Sequence, residues 1–226
     1  MIPYYLLLSK DFNPNKIKSF SSNSQKGLEK LANDTPLSSF QLNLSLQIQG
    51  YTTYDLKTEV LKRQKGRAYG NPDIFQDFIL IKEDYMFYNK THNLLILSTS
   101  KDNFYYFKKR CKGNNVFTCS SIDINFSTII DNVQNLGTDG IWLGELGNTN
   151  INAVGLMGHR VQDSTEYQQY IDTGAKITNM SFIYDFNGKQ EKVMISKEGG
   201  VILYQTKKIE DALDLVIDVY EKMLLN

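Results

Sequence analysis

A run of cationic side chains flanked by tyrosines is the clearest chemical signal in this sequence. Positions 57 to 67 hold five Lys or Arg residues and a single carboxylate, Glu59. Cations attract phosphate groups and release counterions, and tyrosines stack on unpaired bases. We therefore expect nucleic-acid contacts here. The cations are Lys57, Lys62, Arg63, Lys65 and Arg67, and the flanking tyrosines are Tyr51, Tyr54 and Tyr69.

Two glycines, Gly66 and Gly70, punctuate the same stretch, and the residues around them are polar. This composition predicts a flexible basic loop over positions 53–70. The alternative is a loop whose charges are simply solvated, since a run of charge is often only a wet surface.

A second cationic cluster lies on a predicted helix. Ser100 is a suitable N-cap and Gly113 a suitable end, so we expect a helix over 101–112. Its buried stripe is predicted to hold Phe104, Phe107 and Cys111. Cations near a helix C-terminus are also favoured by the helix dipole, which is a purely structural alternative. The predicted nucleic-acid contacts on this helix are Lys108, Lys109 and Arg110.

Both clusters belong to a wider asymmetry of charge. Residues 1–120 contain 17 Lys and Arg against 10 Asp and Glu, whereas residues 121–226 contain 8 against 15. A net charge of zero therefore hides a basic first half and an acidic second half. This split predicts a polyanion surface on the first half, and a basic protein partner or a second copy on the acidic half.

Residues suited to metal binding or catalysis are scarce. Two histidines (His92, His159) and two cysteines (Cys111, Cys119) lie at spacings that match no zinc site, so no metal and no cofactor is predicted. The six glycines from Gly137 to Gly158 match no nucleotide-binding motif. A role for that segment, or for His159 within its loop, is left open.

A nuclease is the enzymatic alternative. Asp73 follows Pro72, as in the first half of a Mg²⁺-dependent nuclease motif, where clustered carboxylates hold the metal. A degenerate second half, Glu191 and Lys192 near Asp185, has poor spacing for this motif.

The elements that must position these residues are mostly predicted strands. Apolar residues alternate with polar ones over 39–50, which predicts a strand with one wet face. Strands are also expected at 3–9, 77–88, 94–98, 116–119, 141–143 and 152–156, with short helices at 25–32 and 126–133. A helix over 163–174 is predicted to begin with a capping box of Asp163 and Glu166.

The C-terminal third has the most regular pattern. Asn187-Gly188 predicts a type I′ hairpin between strands 176–186 and 190–196. A third strand at 201–205 and an amphipathic helix over 208–225 follow. We therefore expect an α+β fold of mostly antiparallel sheet with covering helices, including a C-terminal three-stranded meander with its helix.

Two subdomains are predicted, a basic one at 1–113 and an acidic one at 114–226, with one continuous domain as the alternative. The N-terminus lacks the features of a signal peptide, no apolar run could span a bilayer, and two free thiols suit a reducing compartment, so a cytoplasmic location is expected.

The predicted function is a non-enzymatic accessory protein that binds nucleic acid through its basic half. Conflict between phage and host is one setting for such a protein. The other hypotheses are the nuclease and a protein-interaction subunit that makes no nucleic-acid contact.

Overall fold

The computed structural model describes most of the chain. The described ranges are 3–15, 19–20, 36–68, 71–113, 117–132, 137–147 and 150–225. Within these ranges, side chains are described except at residues 19, 63–68 and 71–78.

The predicted α+β class with extensive antiparallel sheet is confirmed. The described residues form twelve strands and four α-helices. The strands are β1 (Pro3–Leu8), β2 (Ser19–Phe20), β3 (Ser38–Leu42), β4 (Thr52–Ala68), β5 (Asn71–Asn89), β6 (Leu94–Ser98), β7 (Ser120–Ser121), β8 (Thr138–Gly144), β9 (Ala153–Met157), β10 (Lys176–Phe186), β11 (Lys189–Ser196) and β12 (Gly200–Leu203). The helices are α1 (Lys101–Gly113), α2 (Phe126–Asn132), α3 (Thr165–Asp172) and α4 (Ile209–Val219), which a π-helical turn (Tyr220–Leu224) continues.

The chain divides into two compact units. One is Leu7–Ser120, and the other combines Met1–Leu6 with Ser121–Asn226. We call them the basic unit and the acidic unit, because the first carries 17 Lys and Arg against 10 Asp and Glu and the second 8 against 15. The first residues of β1 belong to the acidic unit, where Tyr4 pairs with Val201 of β12. The division into subdomains at 1–113 and 114–226 stays a prediction.

The sheet of the basic unit has the order β2-β3-β4-β5-β6, and every neighbouring pair is antiparallel. The predicted strand over 39–50 is wrong beyond Leu42. The side chain of Asn43 accepts hydrogen bonds from the backbone N–H groups of Ser45 (2.9 Å) and Leu46 (3.1 Å). This turn ends the strand, because a local side-chain acceptor replaces the ladder partner.

The predicted flexible loop over 53–70 is also wrong, because most of it is strand β4. Tyr54, Leu56 and Val60 are buried, and the intervening Asp55 and Lys57 are more exposed. This period of two is the signature of a strand with one covered face. Helix α1 lies on the covered face, since Asn103 donates to Asp84, the register partner of Leu56, over 3.0 Å.

The core of the basic unit is rich in aromatic rings. Phe12 is central, with ring centroids 4.8 Å from Tyr88, 5.2 Å from Phe117 and 5.3 Å from Phe40. Most of its pairs are edge-to-face or tilted, the arrangement that aromatic quadrupoles favour. The predicted stripe of α1 is confirmed: Phe104, Phe107 and Cys111 are all buried.

The acidic unit contains a sheet with the order β1-β12-β11-β10-β8-β9. Asn187 and Gly188 connect β10 and β11 with φ angles of 54° and 75°, as a type I′ turn requires. Strands β10, β11 and β12 pair in sequence and lie inside this larger sheet. Helix α4 buries Leu213, Val216 and other apolar residues of one face.

Several local predictions need correction. The N-cap of α3 is Ser164, whose hydroxyl accepts from the Tyr167 N–H over 3.2 Å, so the Asp163–Glu166 capping box does not form. Asp163 instead pairs with Arg160 at 2.6 Å. Residues 117–119 are not in a strand, and the short helix at 25–32 falls outside the described residues. Among the helices described, none is long and apolar enough to cross a bilayer.

Candidate nucleic-acid interface

The long hairpin of β4 and β5 positions the first cationic cluster. Its register is continuous from Thr52 opposite Tyr88 to Ala68 opposite Asn71, with one irregularity after Gly66. The flanking strands stop much earlier: β3 pairs only up to Thr58, and β6 only up to Tyr85. Beyond these points, within the described residues, the hairpin is a two-stranded ribbon. We define the ribbon as residues 60–68 paired with residues 71–80.

The exposure of side chains changes where the ribbon begins. Val60 is 3% exposed, whereas the next residue, Leu61, is 50% exposed and Lys62 is also exposed. Successive side chains of a strand point to opposite faces. Exposure at two consecutive positions therefore shows that both faces of the ribbon are open at its base. At the typical rise of a strand, residues 60–68 span roughly 26 Å.

Cations are concentrated on one strand of the ribbon. Between Val60 and Pro72 there are four cations and no carboxylate. Lys62 is opposite Phe78 in the register and Lys65 is opposite Phe75, so these two lysines have no charged register partner. Arg63 is opposite Asp77. The strand thus alternates cation–aromatic pairs with one cation–carboxylate pair.

The other residues predicted for this cluster lie in different surroundings, and one of them, Tyr54, is not available to a ligand. Lys57 lies on β4 before the ribbon and forms an exposed ion pair with Glu83 at 3.0 Å. Exposed pairs of this kind contribute little to stability and leave the ammonium group in solvent. Tyr54 is buried in the aromatic core, so it cannot stack on a base. Arg67 lies at the end of β4, and Tyr69 is outside the described residues.

The second cluster meets the base of the ribbon. Arg110, in the last turns of α1, donates from Nη2 to the carbonyl oxygen of Glu59, one residue before the ribbon begins. Lys109 is exposed and Lys108 half-buried, with its Nζ 5.8 Å from the centre of the Phe104 ring. Lys62 has the same strand parity as the buried Leu56 and Val60, which places it on the face that α1 covers. The cations of α1 and Lys62 are therefore on one side of the sheet.

Arg110 itself is a structural residue. Its side chain is 6% exposed, and Nη1 donates to the Leu37 carbonyl oxygen (2.8 Å) and the Ser38 hydroxyl (2.7 Å). Burial lowers the pKa of Arg110, and the nearby Glu59 carboxylate opposes that shift. The guanidinium group joins α1 to β3 and β4, and its Nη1 and Nη2 groups already donate to protein oxygens.

Packing in the acidic unit explains two glycines of the glycine-dense segment, Gly140 and Gly155. A Cβ on Gly155 would lie 3.3 Å from the Trp142 Nε1, and one on Gly140 would lie 2.8 Å from the Ser181 hydroxyl. These glycines lie in strands β8 and β9 and make room for the Trp142 ring. His159 is exposed in the turn before Val161.

Where the structure describes the carboxylates proposed for a nuclease, they do not form a metal-binding arrangement. Glu191 is buried and pairs with Lys207 at 2.5 Å, while Lys192 pairs with Asp139 at 2.6 Å. Within the described part of the chain, no three His, Cys, Asp or Glu side chains gather as metal ligands. Asp73 lies on β5 in the ribbon.

An open cleft of about 550 Å³ lies beside Lys57 in the basic unit, lined by Phe40, Tyr54 and Asp55 among others. Its Asp55 carboxylate already accepts a hydrogen bond from the Asn43 amide over 2.7 Å. A second cleft, of about 650 Å³, lies in the acidic unit next to Glu166 and Tyr170. Neither cleft contains cations of the ribbon.

The sequence reasoning recognised the cations but missed the ribbon that holds them. The available signal was the alternation of Tyr54, Leu56 and Val60, which ends where the cationic run begins. Comparisons with known proteins add no assignment: no protein-family model matches the chain. No curated protein is significantly similar to it in sequence.

Proposed function

We propose that this protein binds duplex DNA without catalysing a reaction, and that the β4–β5 ribbon is the element that enters a groove. The observation that carries the proposal is a two-stranded ribbon whose first strand holds four cations and no carboxylate, against two carboxylates, Asp73 and Asp77, on its second strand. A two-stranded ribbon fits the major groove of B-form DNA, whereas the major groove of an RNA duplex is too narrow.

Affinity in this proposal comes from phosphate contacts. Lys62, Arg63, Lys65 and Arg67 would neutralise phosphates along the groove edges, which gives binding with little sequence preference. Lys108 and Lys109 on α1 would add contacts to the flanking backbone, since they lie on the same side of the sheet as Lys62. Arg110 is not included, because its donors bind protein oxygens. Two free cysteines, Cys111 and Cys119, support a cytoplasmic setting for this role.

The experiment is fluorescence anisotropy with a labelled duplex of about 20 base pairs at low salt. We expect the quadruple variant Lys62→Ala/Arg63→Ala/Lys65→Ala/Arg67→Ala to bind at least about tenfold more weakly than the wild type. A matched control removes four exposed lysines elsewhere, Lys90, Lys189, Lys197 and Lys208. The control variant has the same net charge as the ribbon variant, and it should keep most of the affinity.

Two results would overturn the proposal. The first is a wild-type protein that does not bind duplex DNA at low salt. The second is an equal loss of affinity in the ribbon and control variants, which would show that net charge rather than the ribbon determines binding. Adding Mg²⁺ to the same samples tests the nuclease hypothesis, which predicts cleavage that an Asp73→Ala variant abolishes.

A protein partner for the acidic unit is the second candidate function. The outer side of α4 carries the exposed carboxylates of Glu210, Asp211 and Asp214. Such a surface attracts and orients a basic partner. If the protein were only an interaction subunit, it would bind such a partner and show no affinity for DNA.

A further inference from the structure

Strand β9 forms an unprotected edge of the sheet in the acidic unit. Within the described residues it pairs only with β8, on one side. Its sequence, Ala-Val-Gly-Leu-Met, contains no charged residue and no proline, and no charge occurs anywhere from Leu146 to Gly158. Proteins normally protect an edge strand with charges, prolines or bulges, because its free backbone groups are a template for another strand.

The hydrogen-bond pattern shows which backbone groups face outward. The Gly158 N–H donates to the Asp139 carbonyl oxygen over 3.2 Å, so this pair is hydrogen-bonded to β8. Bonded and non-bonded pairs alternate along an antiparallel ladder. Val154 and Leu156 are therefore bonded to β8, whereas the N–H and C=O groups of Ala153, Gly155 and Met157 face away from it.

The outward groups are accessible. Ala153, Gly155 and Met157 are all exposed, Met157 to 63%. Gly155 has no side chain, so its exposure is exposure of the backbone itself. The Trp142 ring lies against Gly155 on the same face as Met157, and it is half-buried. The edge thus combines free backbone groups with an apolar face.

We propose that β9 pairs with β9 of a second copy of this chain, antiparallel and around a two-fold axis at Gly155. In this register Ala153 lies opposite Met157 of the second copy, and Gly155 lies opposite its own counterpart. Every outward residue then meets an outward residue, which gives about six backbone hydrogen bonds. The small side chain of Ala153 leaves room for the large side chain of Met157.

The surroundings favour a copy of the same chain over a charged peptide. The strand offers no charge to select such a peptide, whereas its own register is self-complementary, as a two-fold interface requires. Carboxylates on neighbouring β8 and its following turn are neutralised within the chain: Asp139 pairs with Lys192 at 2.6 Å, and Glu145 pairs with Lys176 at 2.5 Å. They do not repel the second copy strongly.

The dimer is expected to be weak, because one short strand pair buries less than the roughly 1,200 Å² of a standard interface. Sedimentation velocity of the full chain, without DNA, over about 1 to about 500 µM should show reversible dimers with a dissociation constant in the micromolar range or above.

The decisive test reverses charge across the proposed register. Ala153→Lys/Met157→Lys places lysines opposite lysines, and Ala153→Glu/Met157→Glu places glutamates opposite glutamates. We expect each variant alone to dimerise at least tenfold more weakly than the wild type, because like charges directly opposite repel. An equal mixture of the two should form the mixed dimer, which also proves that both variants are folded. A control with two lysines at exposed positions away from β9, Gln168→Lys/Gln190→Lys, should dimerise like the wild type.

A wild-type protein that stays monomeric at the highest concentration would overturn the proposal, even if the edge captured a foreign strand peptide. Dimers that persist in both charged variants would overturn it as well, because they would place the interface elsewhere. Failure of the mixture to restore dimers would contradict the proposed register.

Discussion

Replacing Arg110 distinguishes a structural cation from a ligand-binding one. Its guanidinium group donates to Leu37, Ser38 and Glu59, which lie 51 to 73 positions away in the sequence. The Leu37 carbonyl oxygen also accepts from the Glu59 N–H at 2.9 Å, so it keeps a partner when Arg110 is removed. The Ser38 hydroxyl and the Glu59 carbonyl oxygen lose theirs.

From these contacts, Arg110→Ala should lower the free energy of unfolding by about 3 kcal/mol, the cost of losing two hydrogen bonds to a charged group. This corresponds to a fall in Tm of about 6–12 °C for a protein of this size. Arg110→Met loses the same two hydrogen bonds, but its longer apolar chain fills the space that Ala would leave, so it should destabilise the protein less than Arg110→Ala.

Urea unfolding and DNA anisotropy, measured on the same Arg110→Met preparation, test this reasoning. We expect reduced stability and unchanged DNA affinity. The opposite pattern is expected for Lys108→Ala/Lys109→Ala, which should weaken DNA binding and change stability by no more than about 1 kcal/mol, the scale of the contact between Lys108 and the Phe104 ring. An Arg110→Met protein with wild-type stability and a tenfold loss of affinity would refute the structural role.

Three further perturbations test local features. Desolvation raises the pKa of Asp11, but hydrogen bonds from Thr118, Ser9 and its own backbone N–H together lower it more, so the pKa lies below its ordinary value of 3.8. Asp11→Asn should therefore lower the free energy of unfolding by up to about 1 kcal/mol at pH 7. In urea unfolding measured across pH, this difference should shrink as the pH falls below 3.8, and a constant difference would contradict the prediction. Burial raises the pKa of the Cys111 thiol. Native protein at pH 8 should therefore react with iodoacetamide at least about 100-fold more slowly than unfolded protein. Equal rates would show that Cys111 is accessible. Gly188 has a φ of 75° and nothing lies within 4 Å of an added Cβ. In thermal melts, Gly188→Ala should therefore lower the free energy of unfolding by about 1 kcal/mol from backbone strain alone. Asn187→Gly should be nearly neutral in the same measurement.

Sequence patterns correctly predicted those helices and strands that are determined by residues close to them in the chain. The α1 helix follows from its cap and apolar spacing. Strand β5 ends and β6 begins within one residue of the bounds predicted for the strands 77–88 and 94–98. The sequence pattern did not reveal the turn at Asn43, because the alternation of apolar residues continues through it. The Asn43 side chain nevertheless interrupts the backbone ladder there.

The ribbon and the role of Arg110 depend on distant residues. Residues 60–68 form a strand only because residues 71–80 supply hydrogen-bond partners, and the cationic run has no apolar alternation that would predict a strand. The oxygens that bind Arg110 come from Leu37, just before β3, and from β3 and β4, so composition alone grouped it with its exposed neighbours. The edge position of β9 is a property of strand order, which no pattern within the strand reveals.

The salt dependence of DNA binding tests the central claim most directly. If four ribbon cations neutralise phosphates, the logarithm of the association constant should fall with the logarithm of salt concentration with a slope of about −3.6 or steeper. The slope of the ribbon variant should be shallower by about 3 to 4, while the control variant lacking four other lysines should keep the wild-type slope. A wild-type slope near zero, or equal slopes in all three proteins, would contradict DNA binding by the ribbon.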